Sequence, residues 1–180
     1  WITFQNECAA IRIDDQLCKQ GKGITLYSSF KQNLKGDKIY TVFEDSEGDE
    51  WILTNKGISI IGKKQVDSDF PFQYIKEADG IIYLVSQSDK LASYNFKTRQ
   101  FKFIEIPYHV SMINEVKKFD SNTLLLATDN GLIIYKIKEK EFQLIDIRTS
   151  TQPSNVVQSV YQDHYKELWI FPQTTGVIRY

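Results

Sequence analysis

A pattern of two turns that recurs about every forty residues constrains the fold of this chain more than any other feature. The clearest copy, YTVFEDSEGDEWILTNKGISI, runs from Tyr40 to Ile60 and holds three apolar segments separated by two groups of turn residues. Short apolar segments bounded by Asp, Ser, Asn and Gly are typical of strands joined by hairpin turns. An aspartate of the first turn recurs at spacings of 34, 41 and 43 residues, at Asp45, Asp79, Asp120 and Asp163.

A bulky apolar position follows the first turn of each copy. It is filled by Trp51, Tyr83, Leu125 and Trp169. A period near forty with four strands per copy is the signature of a β-propeller blade. Helical repeats share this period, but the segments lack the 3.6-residue apolar spacing that helices need.

The sequence therefore predicts an all-β fold, a partial β-propeller forming an open arc of about four to five blades of four-stranded antiparallel sheets. The first copy lacks its first strand and the last lacks its fourth, so about 18 strands are expected. We expect one partial propeller over residues 1–180, with a blade remnant at 1–30, blades at about 37–70, 72–106 and 113–147, and an incomplete blade at 156–180.

The repeated residues have structural reasons for recurring. The turn aspartate can accept hydrogen bonds from the turn backbone, and Gly57 can adopt the positive φ of a tight reversal. Trp51 is expected to fill the wedge between adjacent blades. These positions are therefore poor candidates for a functional site.

Composition excludes several classes of function. The net charge of −1 gives no electrostatic case for binding nucleic acid, and no apolar segment is long enough for direct membrane insertion. The chain opens on Trp1 without an initiator Met, so the sequence leaves an export signal undecided. Cys8 and Cys18 are either buried thiols or, on neighbouring strands in an oxidising compartment, a disulfide.

No catalytic constellation is visible. His109 and His164 lie in different copies, and no known nucleophile, phosphate-binding or metal motif is present. We therefore expect no catalytic residue, no metal and no cofactor. One turn carries an acidic cluster in which calcium is conceivable, but the spacing of a calcium loop is absent and a solvated turn is the favoured interpretation: Glu44, Asp45, Glu47, Asp49 and Glu50.

Ligand binding is the better hypothesis. Propeller ligands usually meet loops at one mouth of the channel, here the turns between second and third strands and the links between blades. Aromatic, amide and charged side chains in these loops suit sugar stacking and recognition of hydroxyl groups. The candidates are Asn55, Lys56, Tyr108, His109, Asp129, Asn130, Gln152 and Asn155.

The full copy resembles the two-component regulator propeller repeat. The segment from Val42 to Ile58 has the pattern VFEDSxGxxWIxTxxGI, and Leu126–Tyr135, Glu167–Tyr180 and the opening residues from Trp1 to Phe4 are similar to parts of it. The third copy departs most, with Tyr83 in place of Trp. The resemblance covers nearly the whole chain.

The resemblance implies a periplasmic sensor region of a hybrid two-component regulator, which is not itself an enzyme and contributes to recognition of an oligosaccharide or similar signal. The alternative is a scaffold for protein–protein interaction or dimerisation without a small ligand. A lyase or glycosidase propeller is a third hypothesis, but it would need paired carboxylates or His and Tyr residues at the channel mouth. The expected macromolecular partner is the remainder of a larger propeller or a second copy of the chain.

Overall fold

The chain folds into short antiparallel strands. The computed structural model describes residues 2–3, 9–13, 24–28, 34, 36, 38–61, 70–95, 98, 100–174 and 176–180. Within these ranges there is no helix, and hence none long and apolar enough to cross a membrane. The strands are β1 (Ile2–Thr3), β2 (Ala9–Ile13), β3 (Ile24–Ser28), β4 (Ile39–Glu44), β5 (Glu50–Thr54), β6 (Gly57–Ile60), β7 (Phe72–Ala78), β8 (Ile81–Ser86), β9 (Leu91–Asn95), β10 (Gln100–Ile104), β11 (Ile113–Asp120), β12 (Thr123–Thr128), β13 (Gly131–Lys136), β14 (Glu141–Ile145), β15 (Val157–Gln162), β16 (Leu168–Pro172) and β17 (Ile178–Arg179).

These strands form five sheets over the described ranges. Each sheet pairs strands that follow one another in sequence: β1-β2-β3, β4-β5-β6, β7-β8-β9-β10, β11-β12-β13-β14 and β15-β16-β17. The chain divides into two compact units, residues 1–74 and 75–180, with the boundary inside β7. Each sheet is the antiparallel meander expected of a propeller blade.

The first unit holds the first two sheets. In the second sheet, β5 and β6 are buried along their whole length, and Trp51 and Leu53 are fully inaccessible. Leu34, Ile39 and Ile52 form a cluster on the same sheet. Strands covered on both faces read as continuous apolar runs, which is why Trp51–Thr54 lacks polar alternation.

In the second unit, the fourth and fifth sheets pack face to face through a shared core. Leu125, Ala127 and Leu132 of the fourth sheet cluster with Val160 and Ile170 of the fifth. In the third and fourth sheets the second strand is the most buried, as β8 and β12 show. The repeat therefore builds its core from the faces of successive sheets.

In the second unit, the bulky position after the first turn lies between neighbouring sheets. Leu125 belongs to the core shared by the fourth and fifth sheets. Tyr83 turns toward the fourth sheet, with its ring 6.3 Å from that of Tyr135. Trp51 is fully buried, whereas Trp169 in the last sheet is only half-buried.

A β-bulge recurs at the same place in the first strand of three sheets. The pairing with the second strand shifts between Ile39 and Thr41, between Ile113 and Glu115, and between Val157 and Ser159. Each bulge directly follows a buried apolar residue. The repeat did not predict this feature, because an extra residue in one strand leaves the spacing of turns almost unchanged.

Several predicted strand ends were wrong. The apolar segment Gly176–Tyr180 predicts the third strand of the last copy, but the strand is only Ile178–Arg179, with Gly176 at a φ of +105° outside it. The strand expected to reach Ile147 ends at Ile145, because the Ile147 amide donates to the Asn155 side chain instead of to a strand.

The remaining differences concern number and coverage. The described ranges hold 17 strands where about 18 were expected. The polar segment at residues 64–69 predicts a short or irregular fourth strand of the second copy, but it lies outside the described residues, as do Cys8 and Cys18.

Candidate ligand-binding site

The β12–β13 turn is the centre of the candidate site, and its own sequence fixes its shape. The Thr128 hydroxyl donates to the carbonyl of Gly131 at 2.7 Å and accepts from the amide of Asn130 at 3.1 Å. Gly131 has a φ of +102°, and a β-carbon there would lie 2.5 Å from the Ile145 carbonyl oxygen. The Thr-x-x-Gly motif therefore sets a rigid turn that presents Asp129 and Asn130.

The preceding link is tied to this turn. The Asp129 carboxylate accepts from the amide of Ser111 at 3.1 Å, and the Asp129 amide donates to the carbonyl of Met112 at 3.0 Å. The Asn130 side-chain amide donates to the carbonyl of His109 at 3.0 Å. His109, Asp129 and Asn130, predicted separately, thus lie in one hydrogen-bonded cluster.

Asn155 braces the same turn from the following link. Its side-chain amide donates to the Asn130 side-chain oxygen at 3.1 Å, and its own side-chain oxygen accepts from the Ile147 amide at 2.9 Å. Its carbonyl accepts from the Gly131 amide at 2.6 Å. Asn155 is only 9% exposed, so its contacts support the turn from within.

The other predicted residues of the second unit differ in whether their side chains are free to contact a ligand. His109 is exposed, and its imidazole has no hydrogen-bond partner among the described residues. The Tyr108 hydroxyl donates to the carbonyl of Phe142 at 3.0 Å, which holds the ring against the fourth sheet. Gln152 accepts a hydrogen bond from Thr174 and donates to the carbonyl of Ser154. Of these three residues, only His109 is exposed.

Asn55 and Lys56 lie in the first unit and use the same construction. The Thr54 hydroxyl donates to the Gly57 carbonyl at 3.0 Å and accepts from the Lys56 amide at 3.2 Å. The Asn55 side chain accepts from the amide of Lys38 at 3.2 Å. The repeated turn therefore presents two polar residues in each unit.

The acidic turn at the opposite end of the second sheet is occupied by internal contacts. Asp45 accepts from the amides of Glu47 and Asp49 and from the Trp51 indole, the last at 2.8 Å. Glu44 and Glu50 both form ion pairs with Arg12. The described residues contain no group of three or more His, Cys, Asp or Glu side chains placed to hold a metal ion.

The same aspartate–tryptophan pair recurs in the last sheet. Asp163 accepts from the Trp169 indole at 2.9 Å, and this hydrogen bond is the main cause that lowers the pKa of Asp163. The six-residue spacing from Asp45 to Trp51 is the same as that from Asp163 to Trp169. That spacing was the sequence signal for a contact that sequence reasoning missed.

Sequence reasoning also missed a charged group on the first strands of the second unit. Glu115 accepts from the Val160 amide at 3.0 Å and pairs with Lys117, whose ammonium lies 3.0 Å away. Burial lowers the pKa of Lys76, and the positive charge of Lys117 lowers it further. The signal was the polar residues that interrupt these otherwise apolar strands.

The sheets define the class of structure. Each is an antiparallel meander built from a repeat near forty residues, and the fourth and fifth sheets pack face to face. These properties define blades of a β-propeller.

Solved structures share this fold. The chain resembles the structure described as the extracellular domain of the hybrid two-component system BT3049 from B. thetaiotaomicron, with a TM-score of 0.71 and 20% identity over 96% of this chain and 24% of that one. The extracellular domain of the system BT4673 from the same organism gives a TM-score of 0.69 and 20% identity, covering 89% of this chain and 23% of that one.

An enzyme is also among the similar structures. Virginiamycin B lyase from Staphylococcus aureus has a TM-score of 0.73 and 16% identity, covering 100% of this chain and 65% of that one. No family model matches the sequence, and the search of curated proteins gives no match. The similarity to these three solved structures confirms the predicted propeller fold. The chain spans about a quarter of the two extracellular domains.

Proposed function

We propose that the chain is a non-enzymatic, extracytoplasmic sensory segment of a hybrid two-component regulator. Structures of BT4673 and BT3049 are described as extracellular domains of hybrid two-component systems, and the repeat in the sequence resembles the propeller repeat of the same class. The inner membrane would anchor the larger protein, and the propeller would lie on its periplasmic side.

The proposed signal is an oligosaccharide bound at the turns that join second and third strands. The observation that carries this proposal is the cluster of His109, Asp129 and Asn130, held together by hydrogen bonds to the backbone and to the Asn155 side chain. Carboxylate and amide groups can bind several sugar hydroxyls, and an exposed imidazole can pack on a sugar face. The fixed geometry of the Asp129 and Asn130 side chains reduces the entropy lost on binding.

Calorimetric titration with a library of neutral and acidic oligosaccharides tests this proposal. We expect one class to bind, and His109→Ala to weaken its binding about tenfold, the loss of one good polar or stacking contact. The matched control is His164→Ala. That exposed histidine lies in the β15–β16 turn at the other end of the blade, where it packs on Tyr165.

Three results would count against the proposal. Absence of binding across the library favours the scaffold hypothesis, and equal loss of binding in both histidine variants would move the site away from these turns. Cleavage of a polysaccharide by the purified protein would replace a sensor with an enzyme.

One observation favours the scaffold alternative. On the face of the last sheet that points away from the fourth sheet, Tyr161 is 57% exposed, beside the half-buried Trp169. Trp51, which occupies the position of Trp169 in the second sheet, is fully buried. We propose that a further blade, from the remainder of a larger propeller or from a second copy of the chain, covers this face.

Sedimentation tests the coverage of this face. We expect the chain to self-associate at micromolar concentration, and Tyr161→Glu to reduce association because it would bury a charge. The control is Tyr165→Glu, because that side chain is 74% exposed in the turn. A stable, folded monomer at these concentrations would contradict the proposal.

A further inference from the structure

Two departures from the repeat meet at one cavity in the second unit. The cavity has a volume of about 330 Å³ and lies between the fourth and fifth sheets. Its lining includes Phe119, Leu125, Ile134 and Leu168, with two lysines, Lys136 and Lys166. Leu125 and Lys166 both stand where the full copy has a different residue, Trp51 and Gly48 respectively.

Leu125 explains why space is left between these sheets. The equivalent residues in the other copies are Trp51, Tyr83 and Trp169, all of them larger and aromatic. Leu125 points into the face shared with the fifth sheet and is itself 2% exposed. A smaller side chain at a position that normally fills the wedge leaves an apolar hollow beside it.

Lys166 is not explained by the turn it occupies. It has a φ of +66°, where the second sheet has Gly48 with a φ of +83°. This left-handed conformation has a higher energy for lysine than for glycine, because lysine carries a β-carbon. The turn alone would therefore favour glycine. The lysine side chain instead lines the cavity.

The charges at the cavity favour an anion. Lys136 donates a hydrogen bond to the Thr123 hydroxyl at 3.3 Å, and among the described residues neither Lys136 nor Lys166 has a carboxylate within ion-pair distance. Both lysines are exposed, while Leu125 and Leu168 are buried. The arrangement combines an apolar interior with two ammonium groups, which is complementary to an apolar molecule that ends in a carboxylate.

We propose that this cavity, here called the Leu125 cavity, binds a small hydrophobic carboxylate, with its apolar body against Leu125 and Leu168 and its carboxylate at Lys136 and Lys166. The site lies at the first-turn end of the blades, away from the β12–β13 turn. It is therefore independent of the proposed oligosaccharide site, and either can fail without the other.

Calorimetric titration of the full chain with 4-phenylbutyrate and with its uncharged amide provides the test. We expect the carboxylate to bind with a stoichiometry of one and the amide about tenfold more weakly, because charge-assisted hydrogen bonds would be lost. Added salt should weaken binding of the carboxylate and leave that of the amide unchanged.

Two variants assign the binding to the Leu125 cavity. Lys166→Gly suits the turn, so it should keep the fold while reducing carboxylate affinity to nearly that of the amide. Leu125→Trp should fill the hollow and abolish binding of both probes. The matched control is Lys140→Gly, which removes a lysine with a φ of +57° from the β13–β14 turn and should leave binding unchanged.

Three results would overturn the proposal. The first is no binding of phenylbutyrate, and the second is equal affinity for the acid and the amide. The third is an equal effect of Lys166→Gly and Lys140→Gly. If Leu125→Trp fails to fold, the two lysine variants still decide between the outcomes.

Discussion

The aspartate of the first turn forms different hydrogen bonds in different copies of the repeat. Asp45 is 7% exposed and accepts hydrogen bonds from two backbone amides and the Trp51 indole. Asp120 is exposed and, among the described residues, accepts only from the amide of Asn122. The copy with tryptophan after the turn therefore uses its aspartate to fix that side chain as well as the turn.

We expect Asp45→Ala to lower the free energy of unfolding by about 2–3 kcal/mol, because it leaves a buried indole N–H and two amides without their charged acceptor. Urea denaturation measures this change. Asp120→Ala is the control and should cost less than about 1 kcal/mol, the size of a single exposed hydrogen bond. Equal costs for the two variants would contradict the role given to the Asp45–Trp51 pair.

Tyr83 should make the chain sensitive to alkaline pH. Burial, together with Tyr135 and Asp79, raises the pKa of Tyr83 from 10.0 to about 12. Because folding favours the neutral phenol, its contribution to stability is fully present below pH 10 and is lost as the pH rises through about 12. Tyrosinate absorbance and chemical denaturation across this range measure both effects.

The control for this prediction removes the phenol without removing the ring. Tyr83→Phe should eliminate the highest tyrosine titration step and reduce the loss of stability at alkaline pH. Tyr161→Phe, at an exposed position, should change neither. An unchanged titration curve in Tyr83→Phe would show that another tyrosine is responsible.

At the scale of elements, the Thr-x-x-Gly turn has the most exacting geometry. Gly131→Ala would combine a φ of +102° with a β-carbon 2.5 Å from a backbone oxygen. Gly80, at a φ of +67°, has nothing within 4 Å of the corresponding position. Comparing alanine substitutions at these two glycines therefore separates the cost of the positive φ from the cost of the steric contact.

We expect Gly131→Ala to destabilise the fold by more than about 3 kcal/mol, the range reached when strain and overpacking act together. Gly80→Ala should cost about 1 kcal/mol, from its conformation alone. Thermal and urea denaturation of both variants test the difference. Similar losses would mean that the approach of Gly131 to Ile145 does not constrain the turn.

The strands could be predicted better than their ends. Apolar runs between turn residues identified the strands from Ile39 to Asp120, because burial on both faces requires apolar residues throughout. The end of β14 depends on Asn155, which lies ten residues after the last residue of that strand. The Asn155 side chain accepts a hydrogen bond from the amide of Ile147, so this amide does not extend the strand. Such a contact, like the bulge after Ile113, leaves no periodic trace in the sequence.

At the scale of the whole molecule, the repeat predicted the propeller fold, whereas the position of the candidate site stays a prediction. The repeat could not distinguish His109, whose imidazole is available, from Asn155, whose amide is bonded internally. The Leu125 cavity was also missed, since Leu125 reads as an ordinary core residue until its neighbours are known. Availability of a side chain depends on contacts between sheets, which spacing within one sheet does not report.

Mapping of oligosaccharide binding by amide NMR tests the central claim most directly. The account predicts that titration with a binding oligosaccharide shifts the signals of His109, Asp129 and Asn130 and leaves those of the turn from Asp163 to Lys166 unchanged. No shift with any oligosaccharide, or shifts confined to the Asp163 turn, would contradict a sugar-sensing site at the second-to-third strand turns.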